Sequence, residues 1–199
     1  MTTASLLVPG FSEPVHEAQQ VFRRALTALS EPGTIQQIAD APSVGGLAPA
    51  TYALSLCLLD SDTPVWLSPS LDTPELRANL AFHCGCPVVS DSQQAGFALL
   101  DAAEAADFPE LNPGTDRDPD LSCTVLMQLN DLDGGQAATW QGPGILGNRV
   151  MHLPLTEAFW AWRGAHAFPR GLDVFLTAGD SLVGLPRSTR VLRMMQEEN

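Results

Sequence analysis

Arg187-Ser188-Thr189-Arg190 puts two guanidinium groups and two hydroxyls into four consecutive residues. That donor set suits a phosphate or another oxyanion, because the planar arginine fork grips such groups through two parallel N–H bonds. Phe22-Arg23-Arg24 offers a second pair of guanidiniums beside an aromatic ring, able to reach an anion or the carboxylate of a partner. The bland alternatives are a polar edge for the first group and a solvated helix face with ordinary ion pairs for the second. The charge balance weighs toward function, since only 10 cationic residues stand against 23 acids, for a net charge of −13.

All ten of those cations are arginine. Without a lysine there is no side-chain amine to hold pyridoxal phosphate as a Schiff base, and no lysine for a Walker-type phosphate loop. A GC-rich genome could produce the same bias, and the chemical exclusion stands either way. The net charge also argues against nucleic acid and anionic membrane as partners.

Other spacings invite chemistry less strongly. Gly142-Pro143-Gly144-Ile145-Leu146-Gly147 matches the glycine pattern of dinucleotide folds. The strand before it reads as part of a hairpin, Pro154 limits any helix after it, and no acid-terminated second strand follows, so a tight structural loop is the better reading. His83-Cys84-Gly85-Cys86 has its cysteines one residue apart, closer than zinc pairs normally stand, and Cys57 and Cys123 are scattered. Small buried hydrophobes are the expected role for these thiols, and a structural one for His83. The four histidines meet no G-x-S-x-G elbow that would mark a nucleophilic serine.

Residues 12–31 read as the clearest of the elements that must position these groups. Ser12 is the expected cap, Pro14 suits the first turn, and Val15, Ala18, Phe22, Leu26 and Leu29 recur on one face before Pro32-Gly33 ends the helix. Residues 47–60 predict a buried helix, Val65 to Leu67 a short strand, and Thr73-Pro74-Glu75 a second capped helix carrying Leu76, Leu80 and His83. Pro87 to Val89, Phe97 to Leu100 and Thr124 to Leu129 read as strands. Gly134-Gly135 is expected to turn the last of these into another at Ala137 to Trp140. Thr156 caps a helix to about Ala165, and a hairpin joins Leu172–Leu176 to Leu182–Leu185. Residues 103–120 are an acidic, proline-containing excursion, expected to be solvated. Together these predict one α/β domain over 1–199, with a mixed sheet flanked by helices. No signal segment or membrane-spanning stretch is visible, and the cysteine usage fits a reducing cytosol.

Six blocks then matter as an ordered set: Phe22-Arg23-Arg24 through Ser30-Glu31-Pro32-Gly33; Asp62 to Ser68; Phe82-His83; Gly142 to Ile145; Phe168-Pro169-Arg170-Gly171-Leu172-Asp173; and Pro186-Arg187-Ser188-Thr189. In this order and spacing the chain resembles the PhnH family, a subunit of the bacterial carbon–phosphorus lyase system, from about Phe22 to Thr189. Cys84-Gly85-Cys86 and the 103–120 excursion do not resemble family features. The resemblance implies a fold like the large domain of pyridoxal-phosphate-dependent transferases, without the cofactor, which agrees with the missing lysine. It implies a homodimer in isolation and assembly with the G, I and J subunits. With the L subunit, that system makes a ribose 1-phosphonate 5-triphosphate from a phosphonate and ATP.

The expected function is therefore a cytoplasmic accessory subunit of a transferase complex, with no catalytic residues of its own and no cofactor or metal. Phe22, Arg23, Arg24, Ser30, Glu31, Arg187 and Thr189 are the candidates for partner or anion contact. The competing class is a phosphate- or nucleotide-binding enzyme subunit with its own arginine-lined pocket.

Overall fold

The computed structural model describes residues 6–39, 41–104 and 108–193. Its elements in chain order are α1 (Pro14–Ser30), β1 (Gln36–Gln37), α2 (Pro49–Leu58), β2 (Val65–Leu67), α3 (Pro74–His83), β3 (Phe97–Asp101), β4 (Thr124–Gln128), β5 (Ala138–Gln141), β6 (Arg149–Met151), α4 (Glu157–Arg163), β7 (Asp173–Ala178), β8 (Ser181–Leu185) and β9 (Arg190–Arg193). A six-stranded sheet runs β1-β8-β7-β4-β3-β2, and a three-stranded sheet runs β6-β5-β9. In the larger sheet β2, β3, β4 and β7 are parallel, while β8 and β1 run antiparallel to their neighbours. The mixed α/β sheet expected from the alternation of elements is present.

Period-two alternation sorts the central strands into two cores. Leu99, Leu126 and Phe175 lie in register and join the core under α1, α2 and α3. Their neighbours Ala98, Val125 and Val174, and Leu100, Met127 and Leu176, point the other way. There they meet Trp140 of β5 and Phe159 of α4, so the small sheet and α4 cover the second face. Gly184 pairs with Phe175 in the first of these rows. A Cβ on Gly184 would stand 2.4 Å from the Ala28 carbonyl oxygen, so the missing side chain lets the backbone of α1 rest on β8.

The local signals hold where capping chemistry decides them. Thr73 Oγ1 accepts from Leu76 N at 3.1 Å, and Thr156 Oγ1 accepts from Phe159 N at 3.2 Å. Ser12 does not cap α1. The Glu17 carboxylate instead accepts from Glu13 N at 2.9 Å and Ser12 N at 3.3 Å, in the first turn where a negative charge is favoured. The buried stripe of α1 also differs from the expected one: Val21, Ala25 and Ala28 face the core. Val15, Phe22 and Leu26 are 89%, 46% and 52% exposed. Small residues win the inward face because the helix sits directly on Gly184, leaving no room for a phenylalanine.

Three further expectations need correction. Pro87 to Val89 forms a single bridge, Val65 to Val88, because residues 84–90 pass the sheet edge too briefly to build a ladder. Gly134-Gly135 does not join a hairpin: β4 and β5 belong to different sheets. The excursion is not simply solvated, since Leu111 is buried and Phe108 stacks on Trp162 with ring centroids 4.8 Å apart. No helix among the described residues is long and apolar enough to cross a membrane.

Candidate functional site

The antiparallel pair β5 and β6 is a hairpin, and the glycine pattern at 142–147 is its loop. Gly144 has φ of +80°, and a Cβ there would lie 1.9 Å from the Ser30 carbonyl oxygen. A Cβ on Gly142 would approach the Ser188 carbonyl oxygen to 3.0 Å. The loop therefore lies between the turn that ends α1 and the segment 186–189. These glycines serve contact between protein backbones, and the strand–loop–helix context of a dinucleotide cradle is missing. Arg149, at the start of β6, donates from Nη1 to the Pro32 carbonyl at 2.6 Å and the Glu31 carbonyl at 3.3 Å. Ser30 and Glu31 are thus part of a backbone junction that closes the end of α1.

On the far side of segment 186–189 lies a cavity of about 540 Å³. Five arginines line it: Arg163 at the end of α4, Arg170 in the following loop, Arg187 after β8, and Arg190 and Arg193 on β9. Half of the chain's ten arginines converge on one concavity. Three have carboxylate partners. Arg187 donates to Asp173 Oδ2 from Nη2 at 2.5 Å and from Nε at 3.1 Å, and its third nitrogen donates to the Pro119 carbonyl. Arg193 pairs with Glu157 and stands over the Trp160 ring, 5.5 Å from its centroid. Arg170 Nε lies 3.3 Å from Asp116. Arg163 and Arg190 have no carboxylate within salt-bridge distance among the described residues, so the wall carries uncompensated positive charge.

Arg163 is held by the backbone of the same segment. Its Nη2 donates to the Pro186 carbonyl at 2.7 Å and the Thr189 carbonyl at 3.1 Å. Its Nε is buried with no hydrogen-bond partner among the described residues. Burial pushes its guanidinium down to about 10, against the opposing pull of the Asp173 carboxylate, so it remains cationic at neutral pH. Thr189 is 2% exposed, lines the cavity and leaves its hydroxyl without a partner among the described residues. Trp160, His166 and Phe168 complete the wall, with Phe168 69% exposed.

Of the residues proposed from sequence, Arg187 and Thr189 meet at this cavity. Arg187 is not the free anion donor its neighbourhood suggested, because its guanidinium is committed to Asp173 and Pro119. Arg23 and Arg24 do not join them. Both are exposed on α1 beside Phe22, and Arg24 lines a separate cleft of about 90 Å³ and donates to Gln36 Oε1 at 3.5 Å. Sequence reasoning missed Arg163, Arg170 and Arg193. The available signal was Arg163 closing an aromatic run at Phe159-Trp160-Ala161-Trp162, where a cation finds both the last helical turn and ring faces.

His83 Nε2 hydrogen-bonds the Val8 carbonyl oxygen at 2.9 Å, and Cys84 Sγ donates to the Ser55 carbonyl at 3.6 Å. The hydrogen bond with Cys86 and burial push the Cys84 thiol up. Cys86 and Cys123 are buried. These side chains fit packing roles in the core beneath α2 and α3 and beside β4.

A family described as bacterial phosphonate metabolism protein (PhnH) matches residues 9–192. The alpha-D-ribose 1-methylphosphonate 5-triphosphate synthase subunit PhnH of Rhizobium meliloti (strain 1021) is 38% identical over 97% of this chain and 100% of its own length. HtxG of Stutzerimonas stutzeri, whose name assigns it provisionally to C-P lyase, is 28% identical over 87% of this chain and 85% of its own. Four of the six motif blocks are accounted for by two junctions in the fold: the turn–loop–segment contact at 30–33, 142–144 and 188, and the cavity wall at 168–173 and 186–189. With that arrangement and the match along nearly its whole length, the chain belongs to the PhnH family of bacterial phosphonate metabolism proteins.

Proposed function

We propose that this chain is an accessory, non-catalytic subunit of the carbon–phosphorus lyase core complex. In this role it is needed to form alpha-D-ribose 1-methylphosphonate 5-triphosphate from ATP and methylphosphonate in organic phosphonate catabolism. The reading rests on the family and on the names of the two relatives. One structural observation supports docking: Val15, Phe22 and Leu26, on one side of α1, remain 89%, 46% and 52% exposed beside Arg23 and Arg24. An apolar strip rimmed by cations is the composition of a protein contact. Across the small sheet, Val150 and Leu192 both pair with Thr139 and are 55% and 48% exposed, adding a second uncovered apolar row.

The proposed partners are a second copy in isolation and the G, I and J subunits in the complex, in the cytoplasm. The proposed ancestry is a pyridoxal-phosphate transferase domain that has lost its anchoring lysine and works as a single docking domain without the coenzyme. Size-exclusion with light scattering tests the docking role on Phe22→Ala/Leu26→Ala and Arg23→Ala/Arg24→Ala variants mixed with the other subunits. The expected result is loss of co-elution and of growth on methylphosphonate. Intact assembly and growth in both variants would remove this face of α1 from the contact.

A further inference from the structure

We propose that the five-arginine cavity is a binding site for a phosphate-bearing small molecule. Its phosphoryl oxygens would be taken chiefly by Arg163 and Arg190, with Trp160 and Phe168 forming the apolar wall. The inference stands apart from the docking role, since it concerns the opposite end of the chain's motif blocks and a ligand rather than a subunit.

Three observations carry it. First, charge: in a chain of net charge −13, five guanidiniums surround one cavity. Asp173, Asp116 and Glu157 neutralise three of them. Mutual repulsion opposes such a cluster unless an anion occupies it. Second, unsatisfied donors: Arg163 Nε and Thr189 Oγ1, both in residues of this wall, are buried with no hydrogen-bond partner among the described residues. Each such group carries a desolvation penalty that a charged acceptor nearby reduces. Third, shape and composition: a cavity of about 540 Å³ lies within the usual range of small-molecule sites, about 300–1,000 Å³. Its aromatic wall beside a cationic floor matches a ligand that is polyanionic at one end and flat or apolar at the other. A flat contact with an acidic protein surface would not require donors sunk beneath a concave wall.

The site's donors are preset to different degrees. Arg163 is tied through Nη2 to the Pro186 and Thr189 carbonyls, so its orientation is fixed before a ligand arrives. Arg187 is held and neutralised by Asp173, so it shapes the wall rather than taking the ligand. Arg190, exposed on β9 with no ion-pair partner among the described residues, is the adjustable arm.

Calorimetric titration of the full chain with ATP, tripolyphosphate and adenosine tests the proposal. Saturable one-site binding of ATP and tripolyphosphate, without binding of adenosine, is expected. Arg190→Gln should weaken it about tenfold or more, the effect of losing one charge-assisted contact, and Arg163→Gln at least as much. Arg23→Gln, on the far helix face, should leave it unchanged. ATP binding more tightly than tripolyphosphate would assign the source to a nucleotide or sugar phosphate; equal binding would assign it to the phosphoryl chain alone. Circular dichroism and a melting curve verify folding, and because Arg163→Gln removes two backbone contacts, Arg190→Gln is the deciding variant. No saturable binding, equal affinity in Arg190→Gln, or binding of a polyglutamate peptide in place of the phosphates would overturn the proposal. Co-elution of Arg190→Gln with the partner subunits separates this test from the docking reading: ligand binding is lost while assembly persists.

Discussion

Asp173 takes three hydrogen bonds from Arg187: the backbone N–H reaches Oδ1 at 2.7 Å, while Nε and Nη2 reach Oδ2 at 3.1 and 2.5 Å. The pair joins the first residue of β7 to the segment just beyond β8, and Arg187 also reaches across to the Pro119 carbonyl. One side chain thereby links Pro119 in the 103–120 excursion, the start of β7 and the arginine cavity.

Removing either partner leaves a largely buried charge without its counterion, since the side chains are only 15% and 22% exposed. Arg187→Ala is expected to lower unfolding stability by about 3 kcal/mol. The double variant Arg187→Ala/Asp173→Ala should lose less than the sum of the single ones. Urea denaturation of the four proteins in a cycle checks this, and strict additivity would mean the pair is not coupled.

The hairpin loop gives a steric prediction. Gly144→Ala places a methyl group 1.9 Å from the Ser30 carbonyl oxygen at a φ of +80°, so the loop must lift off the end of α1. A loss of about 3 kcal/mol or more is expected. Gly147→Ala has φ of +73° but open space, and only the left-handed backbone penalty of about 1 kcal/mol applies. Thermal melts of the two variants should differ clearly, with Gly144→Ala the lower.

Helix capping separates two similar-looking residues. Thr73→Ala removes the hydroxyl that accepts from Leu76 N and should cost about 1 kcal/mol. Ser12→Ala should change stability by less than about 0.5 kcal/mol, because the Glu17 carboxylate holds the start of α1. Denaturant midpoints distinguish these cases, and a large effect at Ser12 would contradict the capping by Glu17.

Cys123 makes stability depend on pH in the alkaline range. Burial pushes its thiol up to about 12 from an ordinary value of 9.0. Above pH 9 the unfolded chain releases this proton while the folded chain keeps it. The unfolded state then binds fewer protons, and stability falls as pH rises. The slope approaches about 1.4 kcal/mol per pH unit for this one thiol. Unfolding measured from pH 7 to 10 should show a steeper decline for the natural protein than for Cys123→Ala. Parallel curves would mean that the thiol ionises equally in both states.

Much of this architecture was legible in the chain itself. Thr73-Pro74-Glu75 and Thr156 marked helix starts because capping is settled within four residues. The β7–β8 hairpin followed from Gly179-Asp180 between two apolar runs. The ordered blocks pointed to the family. The inward face of α1 was not legible. Phe22 and Leu26 fit a helical stripe as well as Val21 and Ala25 do, and the choice between them depends on Gly184, more than 150 residues later. The strand β9 escaped notice because it pairs with β5 in a second sheet.

The cavity shows the same division. Residue types determined which groups could hold an anion, since every cation is arginine, and local spacing brought Arg187 and Thr189 to attention. Only the tertiary structure decided which guanidiniums face one another and which are free. It tied Arg187 to Asp173, left Arg163 and Arg190 without carboxylates among the described residues, and set Arg23 and Arg24 apart on α1. Charge pairing is a matter of distance in space, and distances between segments are fixed by how sheets and helices pack, which short-range sequence patterns do not encode.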